Sequence, residues 1–184
     1  GVQVVVASPP VINDLAVVSI YGTCLYSDQS AANAEYIVLA TATKAILVKT
    51  SDTSISYTIP YPPGQTIESP CEVIQTFNYL FIFRDGKVAF EWSGFIPAIT
   101  SAIRQGNEAR ITVASSHSVL KNDTIVVSGI TGYSTPNPNG TFTVFNVTDT
   151  EIHYVNSGSP ESGWGVSSAT IYNSFRFVDR GVYT

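Results

Sequence analysis

The 184-residue sequence predicts an all-β protein: an antiparallel meander domain, propeller-like or sandwich in kind, plus a small β-barrel or Ig-like sandwich module. Three observations carry this. Short runs rich in β-branched and aromatic residues recur along most of the chain, separated by connections of hairpin length. Residues 78–94, NYLFIFRDGKVAFEWSG, place Asp85-Gly86 between two apolar runs, and Asp-Gly in that setting is among the strongest short-range hairpin signals. Charged residues make up 12% of the chain and aromatics 11%. Typical globular chains carry about 25% charge, so this composition fits a β-rich protein with a neutral polar surface.

Residues 1–6 alternate weakly and read as a strand ending at Ser8-Pro9-Pro10. Residues 11–26 hold a second apolar run with Gly22 as a bulge or turn, and residues 27–33 read as a loop or one helical turn. Three runs follow, YIVLAT, AILVKT and SISYTI, split by Thr43-Lys44 and Ser51-Asp52-Thr53. They form a meander that Pro60, Pro62, Pro63 and Gly64 stop, because proline donates nothing to a ladder. Residues 71–77 read as a further strand leading into the Asp85-Gly86 hairpin.

A two-residue type I′ turn at Asp85-Gly86 sets a register in which Phe83 faces Val88, Phe81 faces Phe90 and Tyr79 faces Trp92. These six side chains then form one aromatic ladder, with Arg84 and Lys87 solvated at the tip. Leu80 and Ile82 lie on the opposite face, and a hairpin apolar on both faces is usually covered on both. Residues 35–92 thus hold two meander units, a propeller-like repeat that cannot close a ring alone; the alternative is a sandwich.

Residues 95–105 are ambiguous, since Ile96, Ile99 and Ile103 have helical spacing but also suit a strand and linker. The first domain is read as 1–106. Residues 107–173 form a small all-β module with strands ARITVAS, TIVVSGI, GTFTVFNV, EIHYV and WGVSSATIY. Around Asp149-Thr150, Val147 should face Ile152, Asn146 His153 and Phe145 Tyr154. Residues 174–184 return to the earlier style, so the module reads as inserted.

The net charge is −5 and the nine Lys and Arg are scattered, so no basic stripe suits nucleic acid. No apolar run approaches the roughly 18 residues of a membrane span. No signal peptide is legible at the start. With no Met and Gly at position 1, the chain reads as a trimmed product or, preferably, a segment of a longer one. Cys24 and Cys71 lack metal spacing; two free buried thiols are expected, though pairing stays open.

No catalytic, cofactor-binding or metal-ligating residue is expected. His117 and His153 are the only histidines, and neither has a second ligand at metal spacing. His117 should order the loop after its strand, and His153 should sit on a half-exposed face. No G-x-S-x-G elbow and no glycine-rich phosphate loop occur. Three Asn-x-Thr sequons, at Asn122, Asn139 and Asn146, reflect a composition rich in Asn and Thr. Trp164, between Gly163 and Gly165 in a polar stretch, reads either as an anchor for a partner or as packing over its own module. Tyr133 is a second candidate contact aromatic.

The module resembles a recurrent bacteriophage and prophage domain. The matching residues are Ala109–Val113, the stretch His117-Ser118-Val119-Leu120-Lys121-Asn122-Asp123, Thr124–Ile130, and Asn139-Gly140-Thr141-Phe142-Thr143-Val144. Ser118 and Asn122 stand where glycine is usual, and Asn tolerates the left-handed region. The stretch from EYIVLAT to FIFRDGKVAFEWSG is similar to phage tail proteins with propeller-type meanders, including the nozzle of short-tailed phages. This resemblance implies a non-enzymatic structural protein located in the virion, tail-associated, acting through subunit assembly. Its implied partners are copies of itself and neighbouring virion proteins. The alternative is a receptor- or glycan-binding module of the particle, with host attachment as its role and a host surface glycan as partner.

Overall fold

The computed structural model describes residues 18–28 and 34–178. The expected strand at 1–6 and the run from 11 to 17 lie outside the described residues. The chain divides into two compact units, 1–94 with 175–184, and 95–174. All regular structure among the described residues is antiparallel strand, in three sheets and with no helix.

In the first unit β1 (Gly22–Asp28), β2 (Ala34–Ala40), β3 (Lys44–Lys49) and β4 (Ser56–Pro60) form a four-stranded meander in chain order. The anticipated runs YIVLAT, AILVKT and SISYTI are its last three strands. β5 (Glu72–Thr76), β6 (Tyr79–Phe83) and β7 (Phe90–Trp92) begin the second sheet. Inward positions alternate along each strand, so Tyr26, Val38, Leu47 and Ile59 from one sheet and Leu80, Ile82, Phe90 and Trp92 from the other are buried. Aromatic rings fasten the core: Tyr26 lies 5.4 Å from Trp92 and Tyr61 lies 5.2 Å from Phe90, centroid to centroid. Such ring pairs add ~0.5–1.5 kcal/mol each beyond their buried area.

The edges β1 and β5 meet. The Cys71 N–H donates to Tyr21 O at 2.9 Å, and the Gln75 amide brackets Ser27, accepting from its N–H at 2.8 Å and donating to its carbonyl at 2.7 Å. At these points two edges that would otherwise invite pairing bond to each other. Cys24 and Cys71 are free and half-buried. Burial pushes the Cys24 thiol up to about 11 and raises that of Cys71 as well.

The β6–β7 register corrects the expected one by one residue. Leu80 faces Trp92, Phe81 faces Glu91 and Ile82 faces Phe90. Of the two turn residues only Gly86 has positive φ, and the Lys87 N–H closes the turn on Arg84 O at 3.2 Å. A type I′ turn needs two left-handed residues; one gives a different turn and an odd loop length. A slip of one residue flips every side chain. Phe90 and Trp92 thereby join Leu80 and Ile82 on one face and all four enter the core, while Tyr79, Phe81 and Phe83 point outward. Arg84 is buried, not solvated: its guanidinium lies 3.6 Å from the Phe90 ring centroid and donates to Val88 O.

The second unit starts with β8 (Ile99–Gln105), a strand where helical spacing competed, which pairs with β9 (Glu108–Val113). The turn at 106–107, expected as a domain boundary, is thus a hairpin tip. β10 (Thr124–Ser128), β11 (Gly140–Val147), β12 (Glu151–Val155) and β13 (Thr170–Asn173) complete a sheet of order β13-β10-β11-β12-β9-β8. Its strand order does not close into a barrel. Its strands enclose one core of Ile111, Ile125, Val144, Ile152, Tyr154 and Trp164, with others. Val147 faces Ile152 and Asn146 faces His153 as expected, but Tyr154 faces Val144 because Phe145 bulges out of the ladder. β14 (Arg176–Phe177) then pairs with β7 and completes the second sheet of the first unit, in order β14-β7-β6-β5.

Candidate assembly surface

The most unusual local geometry is the two-residue turn between β5 and β6. Thr76 faces Tyr79, leaving Phe77 and Asn78 as the loop. Phe77 has φ 53°. Hairpin turns of this length reserve positive φ for Gly, Asn or Asp, and a bulky residue there is a genuine outlier. The surroundings impose it. The Gln75 amide donates to Phe77 O, and the Tyr26 hydroxyl donates to Asn78 O at 3.1 Å. Gly94, itself at φ 89°, leaves the space this requires, since a Cβ there would lie 2.8 Å from both Asn78 O and the Tyr26 hydroxyl. The product of this bracing is a phenyl ring 77% exposed.

Phe77 is not isolated. Tyr79, Phe81 and Phe83 alternate along the outer face of β6 and stack, with successive ring centroids 6.2 Å apart. Ile74 of β5 faces Phe81 on the same side, and Phe83 is 45% exposed. At the far side of this face Arg176 pairs with Glu91, Nε to Oε1 2.6 Å, which neutralises the charges that flank the rings. The face presents flat apolar area with few rotatable bonds, the composition enriched at the centres of protein interfaces.

The candidate contact residues named from sequence sit elsewhere. Trp164 is 4% exposed and belongs to the core of the second unit. Its Nε1 donates to Glu161 Oε2 at 3.0 Å, and the Arg104 guanidinium lies 5.7 Å from its ring. Of its two sequence readings the structure has packing over its own module, because the flanking glycines fold the loop back onto the sheet. Tyr133 is half-buried against the same core.

Arg104 is the polar centre that sequence reading missed. It lies fully buried at the end of β8 and donates to Ser159 O at 2.7 Å, Asn156 Oδ1 at 3.1 Å, Pro136 O at 3.2 Å and Ser134 Oγ at 3.1 Å. Its Nη2 meets Glu161 Oε2 at 2.7 Å. Glu161 in turn accepts from the Ser134 N–H at 3.0 Å, and hydrogen bonding from the Ser134 hydroxyl leads the causes that hold its carboxyl below the usual range. This clasp ties the 131–139 and 156–165 loops to β8. No motif announces it, because its members are scattered singly through two loops.

No known protein family, curated protein or solved structure matches the chain. The remaining polar centres are structural in their contacts. His117 Nδ1 accepts from the Val119 N–H at 3.2 Å, ordering the loop after β9 as expected. Asn122 has φ 74°, the left-handed turn read for it. His153 is buried rather than half-exposed. Its Nε2 lies 3.3 Å from Glu151 Oε2 and its Nδ1 3.7 Å from Glu108 Oε1, with the Phe145 ring edge-on to it. Among the described residues no three His, Cys, Asp or Glu side chains gather where a metal ion would sit.

Proposed function

We propose that the protein is a non-enzymatic structural protein of a bacteriophage particle, tail-associated, that works by packing its aromatic face against a neighbouring subunit. The observation that carries this is Phe77. A positive-φ backbone that carries an exposed phenyl ring beside a stacked aromatic row costs stability, of order 1–3 kcal/mol, and among the described residues the ring stays 77% exposed. Strain of this kind belongs to sites where the ring has a partner outside the fold. The sparse charge of the chain supports the same reading, because subunits packed side by side then meet little like-charge repulsion. The phage setting rests on the likeness of residues 109–144 to a recurrent phage module. The left-handed turn at Asn122, where that pattern carries glycine, supports it.

Sedimentation velocity tests the reading. The wild-type chain should form larger species as its concentration rises. The double variant Phe77→Ser, Phe83→Ser should remain monomeric while keeping its fold, since both side chains are outside the core. A wild-type chain that stays monomeric throughout contradicts the proposal.

A further inference from the structure

The turn that carries Phe77 belongs to the second sheet, but it is held from the first. Both connections start at the end of β1. Tyr26 reaches Asn78 O through its hydroxyl, and Ser27 reaches the turn through the side chain of Gln75. Along β5 Gln75 alternates inward with Val73, while Ile74 and Thr76 flank it on the outer face.

The Gln75 amide makes three bonds at once. Its Oε1 accepts from the Ser27 N–H at 2.8 Å, and its Nε2 donates to Ser27 O at 2.7 Å and to Phe77 O at 2.5 Å. That set needs one acceptor and two donors at the end of a two-methylene arm. Glutamine supplies it. A glutamate carboxylate has no donor, leucine has neither donor nor acceptor, and asparagine is one methylene short. Joining β1 to β5 uses only the two bonds to Ser27. The third falls on the carbonyl of the residue with φ 53°. A glycine would take that conformation unaided; a phenylalanine takes it only when held.

We infer that Gln75 is the positioning residue of the aromatic face. By clamping β1 to β5 and holding Phe77 O with the same amide, it sets the turn in which the ring is presented to a neighbour. The inference rests on the proposed assembly role of that face, but the turn itself can be read without assembly.

The test is Gln75→Glu, which keeps the shape and the acceptor for Ser27 N–H but loses both donors. In dilute, monomeric protein, the Phe77 amide and α protons of the wild-type chain should give the strong intraresidue nuclear Overhauser cross-peak that positive φ brings. Gln75→Glu should lose that strong peak while amide shifts in β2, β3 and β4 stay in place. In sedimentation velocity its association should then need roughly tenfold more protein, as for a turn that adopts the presenting conformation about one time in ten. A side chain that merely seams two strands would leave the Phe77 cross-peak as it is. A cross-peak that persists in Gln75→Glu, or an association unchanged when the cross-peak is lost, would overturn the inference. If Gln75→Glu does not fold, Tyr26→Phe removes the other brace; the same cross-peak should weaken, and an unchanged one overturns the inference. A wild-type chain that never associates contradicts the assembly reading, and the cross-peak still decides whether Gln75 sets the turn.

Discussion

At the scale of single residues, two side chains show opposite uses of unfavourable placement. Phe77 is held in a left-handed conformation by the bracing of Gln75 and Tyr26, and its ring is left largely exposed. Phe77→Gly should therefore raise the unfolding free energy by about 1 kcal/mol, read from the urea midpoint, while weakening association. Arg104 is the reverse case: a buried charge made tolerable because every neighbour accepts from it. Arg104→Met leaves the Ser159 and Pro136 carbonyls and the Asn156 amide oxygen without their donor. Each buried unsatisfied group costs ~1–3 kcal/mol, so a loss of about 3 kcal/mol or more is expected in the same assay. Glu161 adds a pH dependence. Its folded carboxyl is held below its ordinary value of 4.5, chiefly by the Ser134 hydroxyl. The stabilisation is therefore fully present above pH 4.5 and fades as acid drives pH down through the lowered value. Glu161→Gln should flatten stability against pH across that acidic window, as seen by thermal melts from pH 6 to 3.

At the scale of elements, the strands were mostly legible because their signal is local. β-branched runs bounded by turn residues gave β2, β3, β4, β11 and β12 within a residue or two. Turns were harder, because a turn type depends on φ at single positions. Asp85-Gly86 marked a hairpin, yet only Gly86 took the left-handed region, and the resulting slip moved Phe90 and Trp92 to the face of Leu80 and Ile82. The turn at Phe77 gave no warning, since phenylalanine belongs to no turn signature. The same limit explains Trp164. Flanking glycines said that its loop bends, but not that it bends inward onto Arg104 and Glu161, which are distant in sequence. The candidate surface was half visible: Tyr79, Phe81 and Phe83 stood out as a ladder, but one expected to continue onto Phe90 and Trp92, which the observed register sends to the opposite face.

At the scale of the whole molecule, the chain leaves the first unit after β7, completes a second unit, and returns as β14 against the strand it left. Glu91 faces Arg176 across that junction. The insertion point is the position of an ordinary hairpin loop, the kind of site where a module can be added without disturbing the sheet. Deleting residues 95–174 and joining Gly94 to Phe175 by an Asn-Gly turn should leave the first unit folded. The near-ultraviolet circular dichroism of buried Trp92 should persist and melt cooperatively; a flat spectrum would show that the first unit needs its insert.

Hydroxyl-radical footprinting across a concentration series tests the central claim most directly, because it reads individual aromatic side chains. Oxidation of Phe77, Tyr79 and Phe83 should fall in the associated fraction relative to the monomer, with Phe77 showing the largest protection. Equal oxidation of these rings in both fractions would contradict a protein that assembles through this face.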